Sequence, residues 1–182
     1  MRIALIGSRR APRNILNLAT AIGRAFSNEG HIALSGGAPG MDDAWMRDYD
    51  RSLSRIIIPW EGFNGHFTSE GYYCWRKQPN EVKIKSIAHA MSVTSYFENV
   101  SPYVQMLFSR NALQVLDLDV MQPVDEIYYW APEVHQKVSG GTRVAVDIGR
   151  KFGIKTYNLY FDDVRKKLED KYSAATDLDW LL

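Results

Sequence analysis

An α/β fold, with a doubly wound, mostly parallel sheet flanked by helices, is what this sequence predicts, and three observations carry the prediction. Short apolar runs such as Ile3-Ala4-Leu5-Ile6 and Ile56-Ile57-Ile58 are continuous rather than alternating, as strands covered on both faces are. Turns rich in glycine and serine follow several of these runs, and helical periodicity follows the turns, so strand and helix alternate along the chain. At 182 residues, with 46% hydrophobic and 24% charged residues, the chain suits one domain over 1–182 with a substantial core.

Taken in order, residues 2–6 form the first strand, which stops at Gly7-Ser8-Arg9-Arg10 ahead of Pro12, where a helix can begin. From Arg13, the residues Ile15, Leu18, Ala19, Ile22 and Phe26 recur at helical spacing until Asn28-Glu29-Gly30 ends the segment. A second unit follows, with a strand over 31–34, a turn over 35–40 and a helix over 41–51, and residues 56–58 give a third buried strand. Residues 60–66 read as loop, and Tyr72-Tyr73-Cys74-Trp75 as an aromatic patch with no assigned structure. Helices are predicted over 80–91 and from Ser101-Pro102 to residue 118, proline being tolerated in a first turn. A strand over 125–130 ends at Ala131-Pro132, a turn covers 138–141 and a helix covers 142–152. Gly153 stops that helix, a core strand follows over 154–159, and a charged helix over 162–172 comes last. Right-handed crossovers between such units make the fold Rossmann-like.

The charges nearly balance, at a formal +1, so nothing drives the whole molecule toward nucleic acid or an anionic membrane. One cysteine, Cys74, cannot close an intrachain disulfide, and no apolar run approaches the roughly 18 residues of a membrane span. The expectation is a cytoplasmic chain with no membrane contact. His31, His66, His89 and His135 are scattered without metal-ligand spacing, so neither a metal nor a cofactor is expected.

In an open parallel sheet the ligand crevice lies beyond the carboxyl ends of the strands. Three loops would meet there: Gly7-Ser8-Arg9, Ser35-Gly36-Gly37-Ala38-Pro39-Gly40, and Ser139-Gly140-Gly141-Thr142. Glycine admits close approach of the backbone to a phosphate, a helix N-terminus favours an anion, and Arg9 adds charge-assisted hydrogen bonds. In the helix after Pro102, Arg110, Asn111 and Gln114 share one face, opposite Phe108, Ala112 and Val115. Arg110 would bind phosphate, with Asn111 and Gln114 positioning ribose or base; an exposed, merely solvated face is the plainer alternative. Asp42 opens the second unit's helix, as a dipole partner or as an acceptor for a ribose hydroxyl. Trp60 and Trp130 stand at predicted strand ends, where they could stack on a base.

Gly7-Ser8-Arg9 together with Ser35-Gly36-Gly37-Ala38-Pro39-Gly40-Met41-Asp42 resembles the SLOG superfamily, which joins DprA, the DNA-processing protein, to the LOG phosphoribohydrolases. Arg110-Asn111 with Gln114, and Gly140-Gly141-Thr142 followed by a helix, are similar to its small stand-alone members, many of them phage-borne. The resemblance implies a nucleotide-derived ligand and often a homodimer, in the host cytoplasm for a phage protein. It also implies a glutamate three residues after Thr142 for N-glycosidic cleavage, but Ala145 stands there. Asp147, with Arg143 and Arg150 at ion-pair spacing, reads as an exposed face rather than a substitute. The principal expectation is therefore a module that binds a nucleotide or a phosphorylated ribosyl compound. A nucleoside or nucleotide N-glycosidase using Arg110 with Asp42 or Glu61 is one alternative, and DprA-like binding of single-stranded DNA is another.

Overall fold

The computed structural model describes residues 1–120 and 122–172. Its elements are β1 (Arg2–Gly7), α1 (Arg13–Asn28), β2 (Ile32–Ser35), α2 (Met41–Met46), β3 (Ser54–Ile58), β4 (Tyr72–Cys74), α3 (Asn80–Val93) and α4 (Pro102–Leu116). Then come β5 (Glu126–Trp130), β6 (Glu133–Val134), β7 (Lys137–Val138), α5 (Thr142–Lys151), β8 (Lys155–Asn158) and α6 (Asp162–Lys171). Six strands form one parallel sheet in the order β4-β3-β2-β1-β5-β8, while β6 and β7 pair as a small antiparallel hairpin. Successive strands move outward from β1 to β4, and the chain then crosses back to lay β5 against the other side of β1. The doubly wound, Rossmann-like α/β fold is thus present, with its switch point between β1 and β5.

Strand alternation divides the core into two layers. Ile3 and Leu5 of β1 point to one face, where they meet Ile15, Ile22 and Phe26 of α1 and Trp45 of α2. Ala4 and Ile6 point to the other, against Leu113 and Leu116 of α4 and Val144 and Ile148 of α5. The register pairs Gly7 of β1 with Trp130 of β5, which brings the carboxyl ends of both strands level at the switch point.

Several boundaries differ from the expectation, each for a local reason. The second helix ends at Met46 rather than at residue 51, because Asp50 accepts from the Ser52 amide (2.9 Å) and hydroxyl (2.8 Å) and closes a separate turn. The fourth helix stops at Leu116 rather than 118, where Asp117 takes a φ of 63° and accepts from the Leu118 amide at 2.7 Å. The aromatic patch supplies an edge strand, β4, and the predicted turn before α5 is preceded by the β6–β7 hairpin. The predicted core strand over 154–159 is β8 at the other edge of the sheet, with only Asn158 buried within it. Among the described residues no helix is long and apolar enough to cross a membrane.

Candidate functional site

A crevice of about 580 Å³ opens at the switch point, beyond the ends of β1 and β5. Its walls come from the three loops expected to meet there and from one face of α4. The first loop contributes Gly7, Ser8, Arg9 and Arg10, and it is held in place by its backbone: Ser8 N donates to Trp130 O (2.8 Å), and Met41 N donates to Ser8 O (3.2 Å). The Ser8 hydroxyl already accepts from Arg10 N at 3.1 Å. The first and second loops touch at Gly40, whose φ is 91° and where a Cβ would lie 2.7 Å from the Arg9 Cα. Glycine there is what allows the two chains to pass so closely.

The second loop is placed differently from its sequence reading. Ala38 faces the crevice, but Ser35 is fully buried and donates to Leu5 O at 2.7 Å, so its hydroxyl serves the sheet rather than a ligand. Gly37 turns away into a second, smaller cavity of about 320 Å³ beside Asp43 and His66. Gly36 sits behind the crevice wall, where a Cβ would fall under 3.0 Å from Gln114 Nε2, Arg110 Nη1 and Asp42 Oδ2. Three polar side chains therefore converge on the one position that carries none.

Arg110, Asn111 and Gln114 line the crevice, and they are buried, not a solvated face. Arg110 Nη1 donates to Ile57 O at 2.9 Å and to Gly36 O, while its Nε is buried without a partner. Its guanidinium lies 5.4 Å from the Phe63 ring centroid, and that of Arg9 lies 6.0 Å from the same ring. Burial lowers the Arg110 pKa to about 10, and the Arg9 charge adds to this while Asp42 opposes it. Asp42 accepts from Gly7 N (3.1 Å) and Ala38 N (3.4 Å), and among the described residues no cation lies within hydrogen-bonding distance of it. Burial accordingly raises its pKa from 3.8 to about 6, although the Arg110 charge pulls it down. Asp42 thus stands at the floor of the crevice rather than at an exposed helix end.

The third loop, with Ser139, Gly140, Gly141 and Thr142, completes the wall, and Asn111 ties it to α4 by donating to Gly141 O at 2.9 Å. Behind it, buried Glu133 accepts from Arg150 (2.5 Å), Tyr129 OH (2.8 Å) and Asn158 (2.9 Å). Arg150 therefore pairs with Glu133, leaving Asp147 only Arg143 at 3.8 Å, which corrects the expected three-residue ion-pair face. This network binds the end of β5, the hairpin, α5 and β8 together under the loop.

Two further expectations fail. Glu61 lies outside the crevice, tied to Lys77 (2.7 Å) and to Thr68, and those hydrogen bonds hold its carboxyl down at about 2. Trp60 also lies outside, packed edge-on against Phe63 (5.3 Å) and Tyr103 (5.8 Å), whereas Trp130 does line the crevice. Ile6, Arg10, Leu107, Phe108 and Pro132 line it as well. Leu107 could have been found one turn before Arg110 on the same helix face, and Arg10 beside Arg9 in the same loop. Exposed Arg9 and Arg10 in the first loop, and Arg13 at the start of α1, have no carboxylate partner among the described residues. Among those residues no His, Cys, Asp and Glu side chains gather closely enough to hold a metal ion.

No protein-family model matches this chain, and no curated protein is similar to it in sequence. Its fold is similar to the solved structure of DNA processing protein A from Helicobacter pylori, described for its single-stranded DNA binding mode. The TM-score is 0.59 at 14% identity, over 94% of this chain and 72% of that one. The chain therefore shares the α/β fold of that protein.

Proposed function

We propose that the crevice binds a nucleotide or a related phosphorylated ribosyl compound. The observation that carries this reading is an excess of cation beside the crevice: the Arg9 and Arg110 guanidiniums converge on the Phe63 ring, with the Asp42 carboxyl as the nearby counter-charge. A phosphate would relieve that repulsion, drawing hydrogen bonds from the Arg9 guanidinium and from the third loop at the start of α5. Arg110 spends Nη1 on two carbonyls, so it shapes the second loop and supplies charge at short range. Trp130, Leu107 and Phe108 offer an apolar wall for a base, and Gln114 and Asn111 offer amides. The test is thermal unfolding in the presence of nucleoside mono-, di- and triphosphates and ADP-ribose. A ligand at a hundred times its dissociation constant adds about 2.7 kcal/mol. A shift with one class, removed by Arg9→Ala, supports the reading; no shift with any of them defeats it.

Single-stranded DNA is a second reading, favoured by the fold similarity to DNA processing protein A. The strand order supports it, because aromatic groups flank the arginines along the carboxyl edge of the sheet. Trp60 and Tyr103 stand beyond β3, Arg9 and Arg10 beyond β1, Trp130 at the end of β5, and Tyr160 and Phe161 beyond β8. Such a track suits a backbone held by cations with bases stacked on rings. Anisotropy of labelled oligothymidylate decides the point: affinity that falls steeply with salt while mononucleotides bind weakly would select the strand over the free nucleotide.

A further inference from the structure

The second cavity, of about 320 Å³, lies on the far side of the second loop and shares only Asp42 with the crevice. Met46 of α2, Ile56 of β3 and Tyr72 of β4 give it an apolar lining, and Arg47, Arg51, His66 and Asp43 border it as well. The charges around it are not matched. Asp43 spends one oxygen on Asn64 (2.8 Å) and the other on His66 (3.3 Å), and each Asp42 oxygen takes a backbone amide. The acids that flank the arginines along the chain are engaged too, Asp48 with Arg24 at 2.6 Å and Asp50 with Ser52 at 2.8 Å, while Glu70 in the turn before β4 pairs with neither arginine. Among the described residues the exposed Arg47 side chain makes no hydrogen bond or ion pair. Arg51 gives Nη1 to Met46 O (3.0 Å) and lies 5.4 Å from the Tyr72 ring centroid, so its guanidinium is held in place with Nε and Nη2 unspent.

We propose that this cavity is a second binding site, for a compact organic oxyanion whose carboxylate or phosphate head is held by Arg47 and Arg51 while its apolar body lies on Met46, Ile56 and Tyr72. The fork of a guanidinium meets two oxygens of such a head at once, and two guanidiniums without a carboxylate partner supply charge that no group of the protein answers. A merely solvated surface would not fix one of its cations against an aromatic ring beside a concave apolar lining. A few polar groups over apolar walls is the composition that small-molecule sites share, and this volume stands at the small end of their range. Neither Arg47 nor Arg51 borders the crevice, so the site stands or falls apart from the ligand assigned there.

The experiment is a nuclear magnetic resonance titration of the full chain that follows the ring signals of His66 and Tyr72, with inorganic phosphate, phenyl phosphate and benzoate as probes. The expected result is a saturable shift at both rings, with phenyl phosphate or benzoate binding about fivefold or more tighter than inorganic phosphate, because only they cover the apolar lining. Arg47→Ala and Arg51→Ala should each weaken binding about tenfold, the scale of one charge-assisted hydrogen bond, whereas Arg9→Ala in the crevice should leave it unchanged. The Arg47 side chain holds nothing in the fold, so a loss of binding in that variant is not a loss of structure. No saturable shift with any of the three probes, a shift that both arginine variants keep, or one that Arg9→Ala removes would overturn the inference.

Discussion

Each end of the sheet holds one buried aspartate, and the two are treated in opposite ways. Asp117, at the amino end of the strands, accepts from Arg2 Nη1 at 2.9 Å and from Arg55 Nη1, while its other oxygen takes the Leu118 amide. It joins the end of α4 to β1 and β3. Asp42, at the carboxyl end, has two backbone amides and, among the described residues, no cation within hydrogen-bonding distance, and it faces a cavity. One carboxylate is saturated and fastens the fold; the other is left with unmet charge where a ligand can enter. The contrast teaches that burial of an acid alone does not mark a site, whereas burial with an incomplete partner set beside an open cavity does.

The largest expected effect tests the closed end. Asp117→Ala strands two partly exposed arginines beside the core and should cost about 3 kcal/mol in urea unfolding, toward the low end for a broken buried pair. A loss below about 1 kcal/mol would mean that the clasp is not what secures α4.

Nearly as large is the effect at the open end, and it depends on pH. The Asp42 pKa is raised from 3.8 to about 6, so the folded state holds that proton more tightly than the unfolded one. Its contribution to stability is full below the ordinary value and is lost as the pH climbs through about 6, a change on the order of 3 kcal/mol. In Asp42→Asn that slope should vanish, so the stability difference between variant and wild type should move in the variant's favour between about pH 4 and pH 7. Parallel profiles would show that the carboxyl is not held in an unfavourable charge state.

Gly36→Ala should follow, destabilising by about 1–3 kcal/mol as Gln114, Arg110 and Asp42 are pushed apart, with ligand affinity falling more than tenfold. The smallest effect on the fold is expected from Arg9→Ala, within about 0.5 kcal/mol of wild type because the residue is exposed. Its signature lies in binding: on a nucleic-acid track, an arginine that no longer reaches its phosphate lowers the salt slope by about 1. Unchanged anion affinity in that variant would move the phosphate elsewhere.

Much of the crevice is legible in the sequence because its parts are local. A glycine turn after an apolar strand announces itself, so Gly7-Ser8-Arg9 and residues 139–142 can be named from the order of residues alone, and all of them line the cavity. The spacing of Arg110, Asn111 and Gln114 puts them on one side of a helix, again a local rule. Trp60 and Glu61 escape such rules, because nothing local tells whether a residue after a strand turns into a crevice or away from it. Residues 62–66 fold back over Gly37, and Asn64 donates to Gly37 O at 3.1 Å, which carries Trp60 and Glu61 to the outer side. Ser35 departs from its expected role for a similar reason: its hydroxyl finds a carbonyl 30 positions away.

By itself the sequence determined the alternation of strand and helix, the turns that end each strand, and hence the fold class, since these follow from hydrophobic period and from glycine and proline geometry within a few residues. Only the tertiary structure decided the state of the charges. Whether Asp42, Asp117 and Arg110 are solvated, paired or stranded depends on partners 35 to 115 positions distant and on the dielectric that packing creates around them, and neither is written in any local stretch of chain.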